Sequence, residues 1–107
     1  MTMHHLVAEL VFVHTASDEQ FEAFLDSVMD ELDKIGHGDA DLTASLTARR
    51  AEFLIGLEED DFEDAAIRLL SDLRTALHAA QCRTPDWPIF RRQSGTVRSV
   101  EVPLVTA

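Results

Sequence analysis

The groups in this 107-residue chain that could bind a metal, attack a carbonyl or move a proton are five histidines, one cysteine and twenty carboxylates. Their spacing argues against most such chemistry. His4 and His5 are adjacent, and His14, His37 and His78 are scattered. None forms the His-x₃-His or Cys-x₂-Cys spacing that puts two ligands on one side of an ion. No metal and no cofactor is therefore expected. His78 and Cys82 stand four apart at helical spacing and offer a nucleophile beside a base. They fall near a helix C-terminus, whose dipole disfavours a thiolate. Asp30–Glu31 and Asp60–Asp61 are carboxylate pairs, but acid/base work needs a cleft that sets the two groups apart. On exposed helix turns they are solvated charges, and no catalytic residue is assigned.

Binding chemistry has better candidates. Arg49–Arg50 and Arg91–Arg92 are paired cations of the kind that hold a carboxylate or phosphate by bidentate contact. Trp87, framed by Pro85 and Pro88, reads either as a plug at one end of the core or as a binding-site aromatic. If they converge, Glu9, His14, Arg49 and Trp87 are the ligand-binding set.

Charge narrows the partners. Nine basic residues against twenty acidic ones leave −11, a field that repels nucleic-acid phosphates and anionic lipid. Residues 1–64 hold three basic and seventeen acidic groups, whereas residues 65–107 hold six and three. Solvated helix faces are the commoner source of such an imbalance; read functionally, it would orient a basic protein partner or a head-to-tail contact. RNA binding on a sheet needs cations and aromatics on a central strand, and Phe53–Glu58 carries no cation. Neither Gly36-His37-Gly38 nor Ser94-Gly95 follows a strand and opens a helix, so no phosphate-cradling loop is present. The apolar run Leu6–Val13 is interrupted by Glu9 and is too short to span a bilayer. One cysteine excludes an intramolecular disulfide, and the cytoplasm is the expected location.

The elements that must position these groups follow from periodicity. Leu6–His14 reads as a central strand apolar on both faces. Ser17 caps a helix, with Gln20 at the capping-box position and Phe21, Phe24, Leu25, Val28, Met29, Leu32 and Ile35 on one stripe. Gly36 and Gly38 end it. Asp41–Arg49 alternates as a half-buried strand with Leu42, Ala44, Leu46 and Ala48 inward. A tight connection over Arg49–Glu52 leads to a strand over Phe53–Glu58, in which Gly56 marks a bulge or a close approach. Asp60 or Asp61 caps a second helix whose stripe runs from Phe62 to Ala80 and includes Leu69, Leu70, Leu73 and Leu77. Ile89–Phe90 and Val97–Leu104 compete for the fourth strand, and Ser94–Gly95 between them would turn a terminal hairpin. The order predicts an α+β fold: a ferredoxin-like βαββαβ sandwich over residues 1–107 as one domain. It has an antiparallel sheet, two helices on one face and a possible extra C-terminal hairpin strand.

Arg74-Thr75-Ala76-Leu77-His78-Ala79-Ala80, followed by Thr84-Pro85-Asp86-Trp87, resembles a helix end and loop of small uncharacterised ferredoxin-like proteins from high-GC Gram-positive bacteria. The resemblance touches a minor part of the chain; it implies a bacterial host and no activity.

The leading functional expectation is a non-catalytic binding or regulatory module that acts as a homodimer. Val7, Val11, Val13 and Leu54 would form its interface on the helix-free sheet face, ringed by Glu9, Thr43, Ser45, Thr47 and Glu58. Two other readings stand beside it. One is a small ligand-binding sensor or enzyme of the dimeric ferredoxin-like barrel type, using Glu9, His14, Arg49 and Trp87. The other is an acidic antitoxin-like or decoy partner of a basic protein.

Overall fold

A computed structural model describes residues 2–13, 17–82 and 92–100. Within them the chain runs β1 (Thr2–Phe12), α1 (Asp18–Lys34), β2 (Asp41–Ser45), β3 (Arg50–Glu59), α2 (Phe62–Cys82) and β4 (Arg92–Ser99). The strands pair antiparallel in the order β2-β3-β1-β4. Each helical connection therefore passes over a strand, with β3 lying between β1 and β2 and β1 lying between β3 and β4. The fold is α+β.

The helix ends follow their sequence signals. The Ser17 hydroxyl accepts from the Gln20 backbone N–H at 3.1 Å, and the Gln20 side chain accepts from the Ser17 N–H at 3.2 Å, which completes a capping box. Asp61 caps α2 by accepting from the Asp64 N–H at 2.8 Å. Past the end of α1, Gly36 has a φ of 100°, a conformation glycine adopts without strain.

Alternation decides what the helices cover. Leu6, Ala8, Leu10 and Phe12 of β1 and Ala51, Phe53, Ile55 and Leu57 of β3 form one buried face. The stripes of both helices join them in a single core cluster, led by Phe21, Phe24, Val28 and Leu32 of α1 and Leu69 and Leu73 of α2. Phe12 meets Phe21 and Phe24 edge-on, with ring centroids 5.5 and 6.0 Å apart.

Several boundaries differ from the sequence reading. β1 begins at Thr2, because Thr2–His5 pair with Gly56–Glu59 although the two histidines give no apolar alternation. Gly56 sits in regular register opposite His5 and is a close approach, not a bulge. A Cβ there would lie 3.3 Å from the Met3 sulfur. Ser94 and Gly95 do not turn a hairpin; they lie inside β4, opposite Val11 and Leu10. Of the two runs proposed for the fourth strand, Val97 belongs to β4, while Ile89–Phe90 and residues 101–104 lie outside the described residues.

The largest change is at the β2–β3 connection. The second strand stops at Ser45, and residues 46–49 make the turn. Leu46 and Ala48 keep the period-two pattern, but tertiary contacts at Arg49 override it. Arg49 has a φ of 52°, unusual for a residue with a side chain, and several contacts hold it there. Its carbonyl accepts from the Phe12 N–H at 2.8 Å, and its backbone N–H and Nη1 both donate to the Leu46 carbonyl. Nη1 also donates to Asp18 at 2.6 Å, and the guanidinium lies 5.4 Å from the centre of the Phe21 ring. The side chain is 3% exposed and that of Asp18 is 54% exposed, so the guanidinium is buried and its counter-ion is wet.

Arg49 thus ties the hairpin to the end of β1 and the start of α1. Arg49→Ala removes a ring contact and charge-assisted hydrogen bonds, and should lower the unfolding free energy by about 2–3 kcal/mol. Asp18→Asn keeps an acceptor near Nη1 in a solvated position and should cost less. Urea denaturation of the two variants checks the order; equal losses would contradict it.

Candidate functional site

The face of the sheet away from the helices is the first candidate surface. Alternation puts Met3, His5, Val7, Glu9 and Val11 of β1 there, with Arg50, Glu52, Leu54 and Glu58 of β3. One register row crosses all four strands as Asp41, Leu54, Val7 and Arg98. The next row holds Thr43, Glu52, Glu9 and Thr96, with Glu9 directly opposite Glu52. Arg50 approaches Glu9 at 3.6 Å and offsets part of that like-charge contact. A hollow of about 410 Å³ opens beside the first row and is lined by Val7, Asp41, Thr43, Glu52 and Leu54.

The apolar part of this face is smaller than the sequence reading anticipates. Val7 is only 7% exposed in the single chain, as befits a central strand with paired neighbours on both sides. Val11 and Leu54 are half-buried, whereas Val13 and Met3 are exposed.

The second candidate is a cleft between α2 and β4. Leu10, Leu70, Leu73 and Leu77 supply apolar walls, and Arg74 and Arg92 are the charged residues lining it. The expected core stripe of α2 splits here: Leu69 and Leu73 are buried, while Leu70 is exposed and Leu77 is half-buried beside the cleft. Ile67, Leu70, Arg74 and Leu77 recur at three- and four-residue steps, which a single broad stripe conceals. Arg74 and Arg92 were therefore not among the residues singled out for binding as a pair.

A third cluster links loop and helix. His37, 5% exposed, brings Nε2 to 2.6 Å from Asp72 Oδ2. Arg68 reaches Asp72 at 3.9 Å and Glu59 at 3.1 Å, so four side chains form a chain along α2. The loop after α1 is thereby fastened to the second helix. The sequence places His37 only in a glycine loop, since nothing local announces a partner thirty-five residues away.

The four ligand-binding candidates are not brought together among the described residues. Glu9 lies on the open face, whereas the Arg49 guanidinium sits against Phe21 on the helix side. His14 and Trp87 lie outside the described residues. His78 Nε2 and Cys82 Sγ stand 3.9 Å apart at an exposed position on α2. Among the described residues, no three His, Cys, Asp or Glu side chains gather as a metal cluster, and no helix is long and apolar enough to cross a membrane.

No known protein family, curated protein or solved structure matches the chain.

The His37–Asp72 contact is short, half-shielded and long-range, so its partners should couple. A double-mutant cycle with His37→Ala and Asp72→Ala should give at least about 1 kcal/mol of interaction in unfolding free energy. Additive losses would show that the contact fastens nothing.

Proposed function

We propose that the protein is a non-catalytic binding or regulatory module of ferredoxin-like architecture, acting in the cytoplasm as a homodimer through its open sheet face. The βαββαβ element order and the antiparallel β2-β3-β1-β4 sheet support the architecture. The dimer rests on one observation, the row Asp41–Leu54–Val7–Arg98. It carries an acid at one edge, a base at the other and two apolar residues between.

Such a row is complementary to itself. A two-fold axis lying between two stacked sheets and parallel to their strands sets β2 of one chain over β4 of the other. Asp41 then faces Arg98 of the second copy twice, and Leu54 faces Val7 twice. Neither Asp41 nor Arg98 has an ion pair among the described residues, so both charges are available. The same placement brings each Arg98 to the hollow flanked by Asp41 and Glu52, while Glu9 keeps its own Arg50. The next row sets Glu9 of each copy over Glu52 of the other, a like-charge contact that Arg50 and the incoming Arg98 offset in part and that lowers the affinity.

Magnitudes decide how tight this is. Four strands at the usual spacing, about eight residues deep, offer on the order of 500 Å² per chain. That is near the lower limit for a specific interface, and Val7 is already largely covered. The dimer should be concentration-dependent at micromolar levels, with charge setting its register more than its strength.

Sedimentation at micromolar concentration should find a dimer. Asp41→Arg or Arg98→Asp alone should weaken it roughly tenfold or more, and the double swap should restore it. A wild-type chain that stays monomeric would overturn the proposal. Sensitivity to Val11→Lys without sensitivity to the charge swaps would keep the dimer and reject this register.

A further inference from the structure

We propose that the cleft between α2 and β4 binds a small amphiphilic monoanion: an apolar chain or ring ending in a carboxylate. Three observations on this side of the molecule lead there. They do not depend on the dimer.

The first is shape. The cleft measures about 610 Å³, within the range of small-molecule sites, and four leucines line it together with Ser71, Arg74 and Arg92. Leu10 and Leu73 are buried core residues that form its floor, whereas Leu70 and Leu77 border it. An apolar ligand body resting there would continue the core outward.

The second is charge. This chain carries a net −11, and Arg49, Arg50 and Arg68 each hold a carboxylate. Arg74 and Arg92 have no ion pair among the described residues, yet both line the cleft. Two uncompensated guanidiniums beside leucines, on a molecule with more than twice as many acids as bases, fit a ligand that brings its own anion. The net charge of −11 of the whole chain works against a polyanion, and the leucines offer nothing to a small hydrophilic ion. A monoanion with an apolar body satisfies both.

The third is the backbone beneath Arg92. A Cβ on Gly95 would lie 2.9 Å from Leu10 Cδ2, 3.3 Å from Arg92 Cδ and 3.7 Å from Arg92 Nη1. The missing side chain is what lets Arg92 fold back over β4 and approach the leucine floor. Gly95 thus leaves room for the Arg92 side chain to lie along β4 beside the cleft.

Decanoate is the probe, titrated calorimetrically into the full chain, with decan-1-ol as its uncharged counterpart. Saturable decanoate binding is expected. Arg74→Glu or Arg92→Glu should weaken it roughly tenfold or more, and decan-1-ol should bind at least as weakly as decanoate does to those variants. Both arginines are exposed, and unchanged circular dichroism of the variants will show that the fold is kept. Lys34→Glu, a charge reversal at the exposed end of α1 outside the cleft, should leave decanoate affinity unaltered. The inference is overturned if wild type shows no binding up to millimolar decanoate. It is equally overturned if the two reversals leave affinity unchanged, or if the alcohol binds as tightly as the acid.

Discussion

Two helices can cover only one face of a four-stranded sheet, and most of this molecule follows from that limit. Every strand residue that points at the helices is matched by a neighbour that points away. The helix side takes Leu6, Leu10, Phe12, Phe53 and Ile55 and becomes the core. The other side is left with a mixture of valines, a leucine, carboxylates and arginines. Antiparallel sheets tolerate such a wet face. What sets this one apart is the arrangement of its charges, with acid on the β2 edge and base on the β4 edge of the same row.

The same limit explains the cleft. α2 lies against β1 and β3 through Leu69, Leu73, Ala76 and Ala80, and β4 is the strand beyond them. Opposite α2, β4 presents small residues, Gly95 and Ser99, with Val97 between them. They cannot fill the space under Leu70 and Leu77, so a hollow remains at the sheet edge. Arg49 works at the opposite edge of the helix layer. Its buried guanidinium and left-handed backbone draw the β2–β3 turn, the end of β1 and the start of α1 together. One residue there replaces the contacts that a longer second strand would have made.

How much of this could be read beforehand depended on whether the signal was local. The capping box at Ser17 and Gln20 and the α1 stripe from Phe21 to Leu32 are written within a few residues and stand as read. Of Asp60 and Asp61 it is Asp61 that caps α2, and Ile35, read as part of the stripe, is the exposed C-cap of α1. The alternation of Phe53, Ile55 and Leu57 likewise identified the core face of β3. Long-range determinants were invisible. The β2 pattern runs on through Leu46 and Ala48, and only contacts with Asp18, Phe21 and Phe12 stop it at Ser45. His4 and His5 resemble a polar tail until β3 supplies their partners. Ser94–Gly95 has turn composition, but β1 is paired on both sides from Leu6 to Val11, and that demands a ladder there. For the candidate surfaces, Val7 and Leu54 were placed correctly on the open face, whereas the pairing of Arg74 with Arg92 required knowing that α2 lies beside β4.

The central claim is that the open face meets a second copy of itself with β2 over β4. Mixing isotope-labelled and unlabelled chains and recording only contacts between methyls of different chains tests it most directly. The account predicts intermolecular contacts between Leu54 and Val7, with Met3 nearby and none from α2. Intermolecular contacts that instead come from Ile67 and Leu70, with Val7 and Leu54 silent, would contradict it.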